Sequence, residues 1–163
     1  MSRMTQNKEK YDNKSINIAL YQPDIPQNTA AIIRLCACFN TTLEIIEPCG
    51  FQLDDRRIKR VAMDYLYANK IIRYQTFDEF VTKKKNSRII LMTTKADKNY
   101  NIFKFNIRDT ILLGRESAGV PKFIHDTAYE RLKIPLNKKT RSLNISIAAA
   151  IVLSEALRQN SLF

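Results

Sequence analysis

Residues 135–160, PLNKKTRSLNISIAAAIVLSEALRQN, join a basic loop to an apolar helix without a glycine at the junction. Eight of the nine residues from Ile145 onwards are apolar, and a helix that is apolar nearly all round is buried on every side. Because one face of a sheet covers only part of such a helix, a second surface is predicted, from a partner subunit or from the same chain. Ser142 and Asn144 both stand at the helix start, where an N-cap needs one polar residue. The helix start is therefore expected to have a further role.

The rest of the chain alternates strands with helices, which predicts one α/β domain over residues 15–163. This domain should have a mainly parallel sheet with helices on both faces. The polar residues 1–14 are predicted to be a disordered tail. Asn28 or Thr29 is predicted to cap the first helix. Strands are predicted at 16–21, 41–46, 71–75, 88–94, 110–114 and 131–134, and helices through 30–39, 54–67, 77–85 and from 145.

Functional sites in parallel sheets lie beyond the carboxyl ends of the strands. Here those ends are the loops 23–28, 47–51, 92–97, 114–121 and 135–144. Two of the three glycines, Gly114 and Gly119, lie in the same one of these loops. A glycine after a strand lets the backbone approach a flat ligand, although an ordinary turn explains it equally well.

Composition and missing motifs limit the classes of function. The net charge of +11 favours a polyanionic partner such as nucleic acid, although a composition rich in lysine, asparagine and isoleucine can produce it without binding. Neither the dinucleotide nor the P-loop glycine fingerprint is present. The single histidine, His125, has no nucleophile beside it. No metal-ligand cluster stands out. The three cysteines, Cys36, Cys38 and Cys49, are interpreted as buried, reduced side chains.

The cellular location is predicted from the absence of a membrane-spanning or signal-peptide pattern in the sequence. No apolar run approaches the roughly 18 residues that span a bilayer. The N-terminal residues also lack the apolar core of a signal peptide. The chain is therefore predicted to be cytoplasmic, with no membrane partner.

Three stretches together resemble a known family. NTAAIIR (28–34), LLGRESAGVP (112–121) and IPLNKKTRSLNISIAAAIVLSEALRQ (134–159) resemble the three motifs of the SPOUT RNA 2′-O-methyltransferases. Residues 20–51 are similar to the start of the small members that act on cytidine or uridine 34 of tRNA. The resemblance implies a deep C-terminal trefoil knot, bound S-adenosylmethionine, a tRNA substrate and a homodimer. It implies 2′-O-methylation of the wobble ribose as the reaction.

The resemblance also implies roles for individual residues. Arg34 matches the motif-one arginine near the ribose. Its favoured role is to orient a phosphate and to stabilise a developing alkoxide, and action as a general base is the lesser alternative. Asn28 shapes the same loop, and Glu116 ties the second motif to its neighbours. Arg141 is expected to contact RNA phosphate. The positions that match cofactor contacts are Met92, Gly114, Ile134, Ser142, Leu143 and Asn144.

Two features leave the function open at this point. The usual motif-one glycine is Ala30 here, and the asparagine that often follows it is Ala31. The alternatives are a 2′-O-methyltransferase for another RNA such as ribosomal RNA, and a knotted RNA-binding protein without catalysis.

A valine side chain at Gly114 is expected to enter the ligand space and abolish cofactor binding.

Overall fold

The fold is built from seven strands and five α-helices in the residues that the computed structural model describes, 15–54, 56–62, 64–66 and 70–162. The predicted tail lies outside these residues. The strands are β1 Asn17–Tyr21, β2 Leu43–Ile46, β3 Ile71–Tyr74, β4 Ile89–Met92, β5 Lys98–Asn99, β6 Thr110–Leu113 and β7 Glu130–Lys133. The helices are α1 Pro26–Cys38, α2 Arg56–Ala62, α3 Phe77–Lys83, α4 Lys122–Thr127 and α5 Ile145–Gln159, with a 3₁₀ turn at Tyr100–Ile102.

The sheet has the strand order β3-β2-β1-β6-β4-β7-β5, and every pair is parallel. The sequence prediction of a parallel α/β sheet is therefore confirmed. Neighbouring carboxyl ends meet at one edge, because parallel strands all point the same way. The loops after β1, β4, β6 and β7 are brought together at this edge.

Alternate residues of each central strand enter two separate cores, as the pleat of a strand requires. In β1, Ile18 and Leu20 face the core beneath α1, α2 and α5. The neighbouring Ala19 and Tyr21 face the core beneath α3 and α4. Both faces of the sheet are therefore covered, and this explains the nearly continuous apolar runs of the strands.

Helix α1 begins earlier than predicted, at Pro26, and no side chain caps it. Proline is favoured at the first helical position because its φ is already helical and its missing N–H needs no partner there. The prediction that Asn28 or Thr29 caps this helix is wrong. Asn28 lies inside the first turn, so its amide is available for other contacts.

Helix α5 is covered on one side only within this chain. Ala149, Val152 and Leu153 are fully buried, whereas Ile147 is 52% exposed. Burial on every side is therefore not achieved by the described part of one chain, and a second surface that covers α5 stays a prediction. None of the described helices is long and apolar enough to cross a membrane.

Candidate active site at the carboxyl edge of the sheet

A cavity of about 580 Å³ opens where β4, β6 and β7 end. This volume is in the range of small-molecule sites. Six of its lining residues are those that were expected to contact a cofactor, and Asn28 joins them: Met92, Gly114, Ile134, Ser142, Leu143, Asn144 and Asn28. Three stretches that are far apart in the sequence therefore form one site.

A chain of hydrogen bonds joins the three loops. Asn28 Nδ2 donates to Glu116 Oε1 at 3.3 Å, and Asn144 Nδ2 donates to Asn28 Oδ1 at 2.9 Å. Asn144 Oδ1 in turn accepts from the backbone N–H of Ser146 at 2.8 Å, which caps α5. Because each amide bonds on both sides, its orientation is fixed. Asn144 is thus both the helix cap and a member of this chain, while Ser142 is free to line the cavity.

Glu116 also holds the loop after β1. Its carboxylate accepts from the backbone N–H of Asp24 at 3.1 Å, so the second motif does join its neighbours as expected. Burial and the hydrogen bond with Asp24 raise the pKa of Glu116. The contacts with Glu116, Ser117 and Arg115 lower the pKa of Asp24. As the pH rises, Asp24 is therefore deprotonated before Glu116.

The loop 114–121 folds back tightly on itself. Arg115 and Gly119 exchange two backbone hydrogen bonds of 3.0 and 2.9 Å, and Gly119 has a φ of +65°. A Cβ at Gly114 would lie 2.8 Å from the Gly119 carbonyl carbon. A side chain at Gly114 would meet this backbone, and its entry into the ligand space stays a prediction. Gly114 is required for the fold of the loop that forms the cavity wall.

Several residues that line the cavity were not singled out as binding residues by the sequence analysis. Lys95 and His125 both line the cavity. Burial, with the charges of Lys95 and Arg131, lowers the pKa of His125, so the imidazole is neutral at physiological pH. Lys95 lies in the loop 92–97, whose position at the carboxyl edge was predicted, and this was the available signal. His125 was set aside because it has no sequence neighbour with which to act.

Arg34 and Arg141 lie outside the cavity lining of their own chain. Arg34 is exposed on α1, six residues beyond Asn28, at roughly 9 Å along the helix axis. Arg141 is exposed in the loop immediately before Ser142. The chain alone therefore brings the candidate cofactor residues together but leaves the candidate catalytic arginine at a distance.

The cysteines are free and only partly as predicted. Cys36 is buried and Cys49 half-buried, and burial raises the pKa of each thiol to about 12. Cys38 is exposed, because it lies on the outer face of α1, so the interpretation as a buried side chain is wrong for it. Within the described ranges, no cluster of three or more His, Cys, Asp or Glu residues could hold a metal ion.

Comparison with known proteins identifies the family. A model described as the SpoU rRNA Methylase family matches residues 15–154, which is nearly the whole described chain. The chain belongs to this family. The match includes all three loops of the cavity.

Relatives in the SpoU family are similar over most of their length. The tRNA (cytidine(34)-2′-O)-methyltransferase of Beijerinckia indica is 48% identical over 144 residues, covering 87% of this chain and 90% of the relative. The enzyme of the same name from Escherichia coli K12 is 37% identical over 146 residues, covering 88% and 93%.

Solved structures agree with this family. A protein studied for 2-OH methylation of C/U34 on tRNA superposes with a TM-score of 0.87 at 29% identity, covering 91% of this chain and 98% of that one. The SpoU methyltransferase AviRb of Streptomyces viridochromogenes, in complex with AdoMet, has a TM-score of 0.84 at 20% identity and covers 91% and 59%. At that identity the likeness concerns the fold alone.

Proposed function

We propose that this protein transfers a methyl group from S-adenosylmethionine to the ribose 2′-hydroxyl of nucleotide 34 in certain tRNAs. The observation that carries the proposal is the single cavity formed by all three motif loops and held together by the chain from Glu116 through Asn28 to Asn144. The names of the similar relatives supply the reaction and the nucleotide. The deep trefoil knot implied by the resemblance stays a prediction, as does a cytoplasmic location.

The cavity suits S-adenosylmethionine in size and in lining. Its walls combine apolar side chains, such as Met92 and Ile134, with backbone that is accessible at Gly114. Ser142, Leu143 and Asn144 complete the wall. When bound, the cofactor supplies a methyl group on a positively charged sulfur. The residues of the chain hold it so that a ribose oxygen can approach in line with the bond that breaks.

Arg34 is proposed to orient the RNA at this cavity. Arginine stays protonated at neutral pH, so a stabilising role suits it better than proton abstraction. Its guanidinium can bind the neighbouring phosphate and stabilise negative charge that develops on the 2′-oxygen. Asn28 is proposed to keep the loop in shape through its two amide hydrogen bonds, rather than to react.

A homodimer completes this site in the proposal. Ile25 and Leu143 are 41% and 37% exposed at the cavity, and Ile147, in the first turn of α5, is also exposed. Exposed apolar side chains grouped in this way mark a binding surface. Since α1 and α5 pack together, an isologous contact through both helices covers these residues. Arg34, on the outer face of α1, then approaches the cavity of the other subunit.

Arg141 is proposed to bind an RNA phosphate beside the cavity. The loop 135–144 also exposes Lys138 and Lys139. Because phosphate contacts release counterions, tRNA affinity should fall steeply with salt, and Arg141→Ala should reduce the slope of log affinity against log salt by about one. Filter binding over a salt series measures this. Lys85→Ala, exposed at the opposite edge of the sheet, is the control and should leave the slope unchanged.

Methylation of total tRNA with labelled S-adenosylmethionine tests the proposal. Mass-spectrometric mapping should place the label on the ribose of nucleotide 34. Arg34→Ala is the matched control, which should bind the cofactor in calorimetry and transfer no methyl group. Label in a base, or only in ribosomal RNA, would contradict the proposed substrate. A folded protein that does not bind the cofactor would indicate an RNA-binding protein without catalysis.

A further inference from the structure

Arg34 is in contact with an aromatic ring from the turn that follows α2. Its Cζ lies over the Tyr65 ring, 5.3 Å from the centroid, which is within the range of a cation–π interaction. Tyr65 is half-buried and packs against the core, in the turn that follows α2. The N–H groups of Tyr65 and Leu66 both donate to the Ala62 carbonyl, at 2.8 and 2.9 Å. The ring is therefore held by a defined turn.

The Arg34 guanidinium uses none of its N–H donors within the described part of the chain. Four other arginines differ, because each has a carboxylate partner: Arg73 with Glu47, Arg88 with Asp109, Arg115 with Asp24, and Arg158 with Glu155. A carboxylate would fix Arg34 but would also neutralise its charge and occupy its donors. An aromatic face restricts the side chain and leaves five donors and the full charge available.

We propose that Tyr65 is a positioning residue, which holds the Arg34 guanidinium over its ring so that all of the donors point to the RNA. The inference rests on the proposed role of Arg34 in methyl transfer. An exposed arginine has many rotamers, and ordering it in the transition state of methyl transfer costs free energy. The ring reduces this cost before RNA arrives. Packing of α2 against α1 connects the two residues, so the position of α2 sets the position of the arginine.

Replacement of the ring while side-chain bulk is retained tests the inference. Tyr65→Leu should lower kcat about five-fold, as expected for the loss of a cation–π contact at an exposed site. The KM and the Kd for S-adenosylmethionine should both be unchanged. Tyr65→Phe keeps the aromatic face and should retain nearly wild-type kcat. Thermal unfolding and calorimetry with S-adenosylmethionine verify that both variants are folded and bind the cofactor.

A spectroscopic measurement separates positioning from a purely structural role. The Arg34 Nε–H resonance should be shifted upfield by the ring in the wild type and in Tyr65→Phe, and should lose this shift in Tyr65→Leu. Wild-type kcat in Tyr65→Leu, while Arg34→Ala is inactive, would overturn the inference and leave the proposed function intact. A defect in Tyr65→Phe as large as that in Tyr65→Leu would also overturn it. Wild-type kcat in Arg34→Ala would instead remove the proposed role of Arg34 itself.

Discussion

At the scale of single residues, Gly114 is required because of space. Gly114→Ala places a Cβ 2.8 Å from Gly119 backbone, so the loop 115–119 must move and the cavity wall with it. We expect a folded protein whose affinity for S-adenosylmethionine, measured by calorimetry, is reduced at least about ten-fold, because the wall contacts are displaced.

Gly119→Ala is the comparison for this prediction. A Cβ there meets nothing within 4 Å, but the φ of +65° strains any side chain. It should cost about 1–2 kcal/mol of stability with a smaller change in cofactor affinity. Wild-type affinity in a folded Gly114→Ala protein would show that the loop does not form the binding wall.

Lys84 and Glu44 form a buried ion pair beneath α3, and Tyr74 donates a hydrogen bond to the same carboxylate oxygen at 3.4 Å. Burial raises the pKa of Glu44, although Lys84 and Tyr74 act in the opposite direction. A raised pKa means that Glu44 holds its proton more tightly in the folded state than in the unfolded chain. The contribution of Glu44 to the free energy of unfolding therefore decreases as the pH rises through the folded-state pKa. In Lys84→Met the carboxylate loses its partner, and this should cost about 3–5 kcal/mol at pH 7.

The cost of Lys84→Met should be smaller at pH 5, because Glu44 then takes up a proton more readily in the folded state. Urea unfolding at the two pH values measures the difference. Lys85→Met, at the exposed neighbouring position, is the control and should change stability by less than about 0.5 kcal/mol. An equal stability cost at both pH values would mean that the unpaired charge of Glu44 does not cause the destabilisation in Lys84→Met.

At the scale of elements, the start of α5 has two separable duties. Asn144→Ala removes the cap and should cost about 1 kcal/mol, measured by thermal unfolding. Asn144→Asp keeps an acceptor for the Ser146 N–H but cannot donate to Asn28 Oδ1. Its stability should be retained, while methyl transfer falls because the Asn28 amide is no longer fixed. Full activity in Asn144→Asp would show that the bond to Asn28 is dispensable.

At the scale of the whole molecule, the proposed site is shared between subunits. Arg34→Ala keeps its cavity and Gly114→Val keeps its arginine, so the two inactive variants should complement each other after mixed refolding. Random pairing makes about half of the dimers heterodimers, each with one intact site, and returns roughly a quarter of wild-type activity. Native mass spectrometry confirms that heterodimers are present. An inactive mixture that contains them would mean that Arg34 serves its own subunit.

The sequence by itself determined the local structure and the class of fold. Nearly continuous apolar runs placed β1, β2, β4 and β6, because a strand buried on both faces must be largely apolar. The sequence also predicted β3 and β7, which contain charged residues. The alternation of strands and helices then predicted the parallel sheet and its functional edge. The sequence analysis missed β5, which has two residues, and α4, which has six. Elements this short do not show a hydrophobic periodicity that identifies them.

Tertiary structure alone decided which residues meet. The sequence predicted Asn28 as a possible helix cap and as a residue that shapes the loop, but not that its amide lies between Glu116 and Asn144, which are 88 and 116 residues away. Nothing in the residues around Arg34 indicates that Tyr65 holds it. Gly114 lines the cavity, where the sequence predicted a ligand contact, but the close approach of the Gly119 backbone could not be predicted. Periodicity records only which face of an element is buried, while these contacts depend on the order of strands in the sheet and on the packing of helices against it.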